Sequence, residues 1–221
     1  MFHLLVSTAT VPYMPEAQTA TKSVQFGALL KFDPETSRLL DVARSEFVSH
    51  GIRRASISEI ARRAGVSRPT LFRRCGDKDD IVTAVAARDL VEFFARAQVA
   101  LKALESLEDK VVEAFVLGVR EAREHPMIQA LKEFDDRMLL QKLLDTNSPS
   151  ARMMLHAIAQ LVQDEGVTPS TAIENALEIS LRITATLLAS PSIALPTDSD
   201  ENARAFARQY LTAIVHAALQ T

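Results

Sequence analysis

The sequence predicts an all-α protein, with a small three-helix unit of helix-turn-helix form near its N-terminus and a larger helical bundle after it. Three observations carry that prediction. Of its 221 residues, 48% are hydrophobic, only 6 are glycine and none is tryptophan, a balance that suits helices built from Ala, Leu and Arg. Apolar residues recur three and four positions apart through most of the chain, the spacing of one helical face. Between these runs stand Ser, Thr or Asp caps and Pro or Gly stops, which mark helix ends.

Residues 1–33 mix Thr, Ser, Pro, Gln and Ala without sustained period and read as a flexible arm. The arm has no arginine, so its attraction to a polyanion is slight. Asp33-Pro34 opens a first helix that Gly51 ends, with Leu39, Leu40, Val42, Ala43 and Phe47 as its buried stripe. Ser56 and Glu59 have capping-box spacing, the serine accepting an N–H three residues on and the glutamate reaching back to the cap. Ile60, Ala61 and Ala64 then share a face, and Gly65 supplies a left-handed stop. Ser67 caps a third helix whose Pro69 sits in the first turn, where a missing N–H costs nothing. Leu71 faces back toward Ile60 and Ala64, which leaves Arg68, Thr70, Arg73 and Arg74 pointing outward.

A long pattern follows Lys78, with Ile81, Val82, Val85, Leu90, Phe93, Phe94, Ala97, Leu101 and Leu104 as its apolar positions, suited to a connecting helix buried at both ends. Later helices are predicted over 107–124, 127–145 with a break near Asp135 and Asp136, 150–165, 170–189 and 199–219. Their borders are His125-Pro126, Ser148-Pro149, Gly166, Thr168-Pro169 and the stretch from Pro191 to Pro196. Length allows one or two domains at ~100–200 residues each; we divide the chain into the arm 1–33, a unit 34–80 and a second unit 81–221.

Charge is unevenly distributed. From Arg53 to Lys78 eight cationic side chains face two acidic ones, a net of +6, in a chain whose net charge is −3. A polyanion responds to the local potential rather than the total. At these residues, Ser56 to Val82, with IARRAGVS, then TLFRR, then an acid-flanked lysine before an apolar helix, the chain resembles the DNA-binding segment of TetR-family transcriptional regulators. The resemblance extends upstream through SRLLDVARSEFVSHG and covers about residues 34–90. Two positions depart from the family pattern: Phe72 stands in place of the usual tyrosine, which removes a hydroxyl that would meet phosphate, and Cys75 in place of the usual aromatic.

The resemblance implies a homodimer on a palindromic double-stranded DNA operator, each copy laying its third helix in a major groove. On that reading Arg68 and Thr70 reach base edges, Arg68 gripping guanine, while Ser56, Ser67, Pro69, Phe72, Arg73, Arg74 and Lys78 complete the DNA surface, with Lys78 on backbone phosphate. Arg62 and Arg63 lie on the supporting helix about 100° apart, so they cannot both face DNA equally. The second unit should hold what the protein senses and how it dimerises. Phe93, Phe94, Phe115, Met127, Phe134, Met138, Met153, Met154 and His156 are the residues able to line a pocket for a small apolar or amphipathic ligand, with plain core packing as the competing account. Ile173, Leu177, Leu181, Thr184 and Leu188, with Phe206, Tyr210 and Ile214, give two helices suited to a four-helix bundle with a second copy, as the resemblance implies, or to an intrachain pair.

Catalytic readings lack support. The five histidines show no His-Glu-x-x-His spacing, and the glycines form neither a phosphate loop nor a dinucleotide fingerprint; no nucleophile elbow is present. We therefore expect no enzyme, no cofactor and no metal; Glu121, Glu124 and His125 crowd a helix end where a metal site is imaginable, but that reading is disfavoured. The single cysteine excludes an internal disulfide and suits a reducing cytoplasm. Cys75 is read as a packing residue, with redox sensing as the rival. Apolar runs are too short for a membrane span. The expected function is a cytoplasmic DNA-binding repressor released by a ligand; a regulator controlled by a protein partner, and a helical enzyme with an anionic substrate, are the alternatives.

Overall fold

The computed structural model describes residues 32–134, 145, 147, 152, 155 and 171–220. In chain order the described helices are α1 (Pro34–His50), α2 (Ile57–Arg63), α3 (Arg68–Cys75), α4 (Lys78–Lys102), α5 (Leu107–Glu124), α6 (Pro126–Phe134), α7 (Thr171–Ala189), α8 (Asp200–Phe206) and α9 (Thr212–Leu219), the last two joined by a π-helical turn, Ala207–Leu211. No strand occurs among the described residues. The expected arm before Phe32, the helix expected over 150–165 and the chain around Asp135 and Asp136 lie outside them, apart from isolated residues.

Local chemistry fixes the ends of these helices. Asp33 caps α1 by accepting from the N–H groups of Glu35 and Thr36, both at 3.1 Å, and from the Thr36 hydroxyl at 2.6 Å. These hydrogen bonds, the Thr36 ones above all, hold the Asp33 carboxyl below its usual range because they favour the charged form. Gly51, at φ 75°, closes the helix with its N–H on the Phe47 carbonyl. Ser56 caps α2 as expected, but the second half of the capping box is replaced: the Glu59 carboxylate grips Arg62 at 2.5 and 2.8 Å. A guanidinium one turn away is a stronger partner than a single backbone N–H. The reciprocal box forms instead at α4, where Asp77 accepts from Asp80 and Asp80 from Asp77.

Two buried clusters organise the chain. In the first, Leu39, Leu40, Ala43 and Phe47 of α1 meet Ile60, Ala61, Ala64, Leu71, Ile81, Val82, Val85 and Met127. Leu39, Phe47, Ile60, Leu71 and Ile81 are fully covered, and truncating any one to alanine costs about 2–5 kcal/mol. The second cluster joins Val112, Phe115, Val116 and Val119 of α5 to Leu187, Ala203, Phe206, Ala207 and Leu211. Within it the Phe115 and Phe206 rings stack at 5.3 Å and Tyr210 leans on Phe206 at 5.1 Å. A smaller group around Ile173 and Leu177 touches Leu107, Leu155 and Ala218.

Ion pairs fasten the outside. Asp200, at the start of α8, takes Arg120 and Arg123 of α5, both at 2.5 Å, and Arg123 also donates to the Thr197 carbonyl. Among the described residues no buried polar side-chain atom lacks a partner, and no helix is long and apolar enough to cross a membrane.

Candidate nucleic-acid interface

The two helices of the basic segment are set by their turn. Gly65 adopts φ 68°, a conformation that side chains resist. The turn is held by the Val66 N–H on the Ala61 carbonyl at 3.0 Å, and from α1 by Arg38 donating to the Ala64 carbonyl at 2.9 Å. Ser67 then caps α3, accepting from the Thr70 N–H at 3.2 Å while the two hydroxyls meet at 2.9 Å. Leu71 anchors the inner face with no exposure. Ser67, Arg68, Pro69, Phe72, Arg73 and Arg74 are exposed on the outer side, with Thr70 half-buried.

What each arginine touches divides the segment. Arg62 pairs with Glu59. Arg63 reaches the buried Glu46 of α1 at 2.8 Å, where His50 also approaches at 3.4 Å. Arg74 bridges to Asp33 at 3.2 Å, and Arg54 lies 5.7 Å from the centre of the Phe134 ring. Arg68 and Arg73, by contrast, have no side-chain ion pair or hydrogen bond to any described residue. Both belong to α3, so its outward face presents two guanidinium groups with their donors unspent.

Lys78 is placed differently from a free phosphate ligand. Its Nζ donates to the carbonyl oxygens of Arg53 and Ala55, at 3.0 and 2.9 Å, which ties the start of α4 to the turn before α2. An ammonium has three donors, so one N–H remains for an outside acceptor. Cys75 is half-buried, and burial pushes its thiol up despite the nearby Arg74. That disfavours the thiolate on which redox reactivity depends.

The described residues among those expected to form a ligand pocket do not gather in one place. Met127 sits in the first cluster, beneath α1, and Phe134 lies under Arg54. Phe115 is committed to the second cluster. Phe94 is buried, with its ring 5.4 Å from that of Phe93. Phe93 does line a cavity of about 240 Å³ between α4 and α5, with Arg96, Ala97, Leu117, Arg120, Glu121 and Glu124, a more polar wall than an apolar ligand needs. Met138, Met153, Met154 and His156 lie outside the described residues. Periodicity marks such residues as inward-facing without saying which interior they enter.

The dimerisation set divides in a similar way. Ile173, Leu177 and Phe206 are already buried within one chain. Leu181, Thr184, Leu188 and Ile214 are half-buried, and Tyr210 is 40% exposed.

The unit that carries α3 is joined to the rest by a polar cluster that spacing did not reveal. Arg44 of α1 holds both carboxylate oxygens of Asp89 on α4 at 2.9 and 3.1 Å. His125, at the junction of α5 and α6, lies 3.2 Å from Arg44, 3.4 Å from Asp89 and 3.9 Å from Glu121. Arg96 in turn pairs with Glu121. The acidic groups near His125 therefore already face guanidinium cations.

Residues 39–85 match the family model for bacterial regulatory proteins of the tetR family. This segment belongs to the TetR family. An uncharacterized helix-turn-helix regulator of Mycobacterium tuberculosis is 42% identical over 55 residues, covering 25% of this chain and 29% of its own. A Mycobacterium bovis counterpart is 48% identical over 48 residues, covering 22% and 25%. The match thus spans less than a third of these relatives. Two solved structures share the fold over most of both chains. The R. erythropolis repressor QsdR superposes with a TM-score of 0.58 at 18% identity, covering 84% of this chain and 96% of its own. The fatty acid degradation regulator FadR of Bacillus halodurans gives 0.54 at 16%, covering 86% and 95%.

Proposed function

We propose that the chain is a sequence-specific transcriptional regulator that binds double-stranded DNA through α3, without catalysing a reaction. The observation that carries this reading is the pair Arg68 and Arg73, exposed on a capped helix and free of partners among the described residues, inside the segment that matches the TetR family. Arg68, at the first helical position with Ser67 and Thr70 beside it, takes base edges; Arg73, one turn on, takes phosphate, as does the remaining N–H of Lys78. Arg62 and Arg63, each held by a glutamate, serve the supporting helices, and Arg74, bridged to Asp33, sits at the rim.

The protein acts as a homodimer on a palindromic operator, since one α3 offers few base contacts and two-fold symmetry doubles them. Half-buried Leu181, Thr184, Leu188 and Ile214, with exposed Tyr210, form the face that a second copy covers. Its action is repression relieved by a small apolar or amphipathic ligand bound among the helices after α4. Ligand and operator then oppose each other by preferring different spacings of the two α3 helices, only one of which matches the ~34–36 Å between successive major grooves. Two connections carry the coupling. One is α4, whose first turns lie in the first cluster and whose later turns pack on α5; the other is α6, whose Met127 enters the core beneath α1.

The test begins with selection of duplexes from a random pool by the purified full chain, followed by anisotropy titrations across salt concentrations. A palindromic consensus bound with a steep salt slope supports the reading. Equal, weak affinity for every duplex at low salt overturns it. A ligand screen against the selected duplex then tests repression by release.

A further inference from the structure

We propose that Phe72 reads the C5-methyl group of a pyrimidine in the major groove. Phe72 is 62% exposed on the outward side of α3, one turn after Arg68 and beside Arg73, while its neighbour Leu71 is fully buried in the core. This large apolar ring, beside guanidinium groups that are unpaired among the described residues, leaves most of its surface outside the packing of this unit. That exposed area is apolar surface that a partner can cover. The ring can neither donate nor accept a hydrogen bond, so it cannot hold phosphate or read the donor and acceptor pattern of a base edge. The one apolar feature displayed in the major groove is the pyrimidine 5-methyl group, carried by thymine and absent from unmodified cytosine. Residues one helical turn apart lie on the same face. Phe72 therefore reads a base near the one that Arg68 contacts.

This inference rests on the reading that α3 enters the groove, and the experiment separates the two. The probe is the tightest duplex selected from a random pool by the wild-type full chain, in which each thymine in turn is replaced by uracil, a change that removes only the methyl. Wild-type protein should lose about fourfold in affinity at one thymine per half-site, the effect of one buried methyl. Phe72→Ala should bind the parent duplex more weakly and be indifferent to that same replacement, and Phe72→Leu should recover part of the discrimination. A second arm methylates each cytosine at C5. A gain for wild type that Phe72→Ala lacks identifies methylcytosine as the source of the methyl and also supports the proposal. If neither arm shows coupling to residue 72 while Arg68→Ala still loses affinity, Phe72 does not read a methyl group and α3 binding stands. A loss in Phe72→Ala that is equal on every duplex assigns the ring to sugar packing and overturns the proposal. Failure of wild type to select any duplex defeats the α3 reading itself. Because the side chain is exposed, melting curves of the variants should match wild type.

Discussion

Arg44 and Asp89 form a two-bonded ion pair at 2.9 and 3.1 Å that fixes α1 to α4, with Asp89 only 13% exposed. It lies where the helices carrying α3 meet those behind them. Removing one partner of a largely buried pair leaves the other charge desolvated. Asp89→Ala should destabilise the protein by about 1–3 kcal/mol, whereas exposed pairs such as Arg38–Glu35 should be worth about 0.2–1 kcal/mol. Thermal or urea unfolding of both variants makes the comparison, and equal effects would contradict it.

Arg68→Ala should cost about 1–3 kcal/mol on the selected duplex and flatten preference at one position per half-site. Arg73→Ala should weaken all duplexes alike and lower the salt slope by about one per half-site. Lys78→Met should do both that and something more. Because its Nζ spans two carbonyls of the turn before α2, the melting temperature should fall as well. Binding titrations at several salt concentrations, paired with melting curves, separate the three outcomes.

Gly76 tests how tightly α4 is started. It holds φ 78°, and a Cβ there would come 2.2 Å from Asp80 Oδ2 and 2.7 Å from its Cβ. Asp80 belongs to the capping box, so it cannot turn aside without losing the Asp77 N–H. Gly76→Ala should destabilise by about 1–3 kcal/mol through strain at the special φ together with a lost cap. Gly118, with nothing within 4 Å of the added carbon and an ordinary helical backbone, should accept alanine with a small gain. Equal melting temperatures for the two variants would remove the argument.

The pH response should trace in part to Asp200. Hydrogen bonds from Arg120 and then Arg123 hold its carboxyl below the usual value of 3.8. A folded-state value below the unfolded one means the contribution is complete at neutral pH and is lost as the pH falls through 3.8 and below. Asp200→Asn should therefore melt lower than wild type at pH 7, with the gap narrowing in acid. A gap that widens on acidification would have the wrong sign. The carboxylate is a third exposed, so the effect should be modest.

Dimerisation can be tested through Tyr210. It is exposed in a single chain, on the π-helical turn between α8 and α9, beside the face that the dimer reading assigns to a second copy. Tyr210→Glu should shift sedimentation toward monomer and weaken operator binding without lowering the monomer's own helix content. An unchanged sedimentation profile would move the interface elsewhere.

The sequence was most legible where an end signal and an apolar period agree. Asp33-Pro34 with Gly51 place α1 at its observed limits, and His125-Pro126 ends α5 where expected, because such signals act within one turn. Partnerships across space were not legible. Nothing local says that Glu46 is buried beside Arg63, that Glu59 prefers Arg62 to the backbone, or that Lys78 bends back onto two carbonyls. The same limit applies to Met127, Ile173 and Phe206, whose spacing shows that they face inward but not whose interior they fill. The π-helical turn at 207–211 was hidden too, since one extra residue in a turn scarcely disturbs an apolar period of 3.6.

Met127 plugs the hollow under α1 although it comes from a helix far along the chain. The amino-terminal unit is consequently not a detachable cassette. A fragment severed after α4 would leave an unfilled socket in the first cluster, and a chimera that grafts this unit onto a foreign sensor would need a thioether of matching reach restored at the seam.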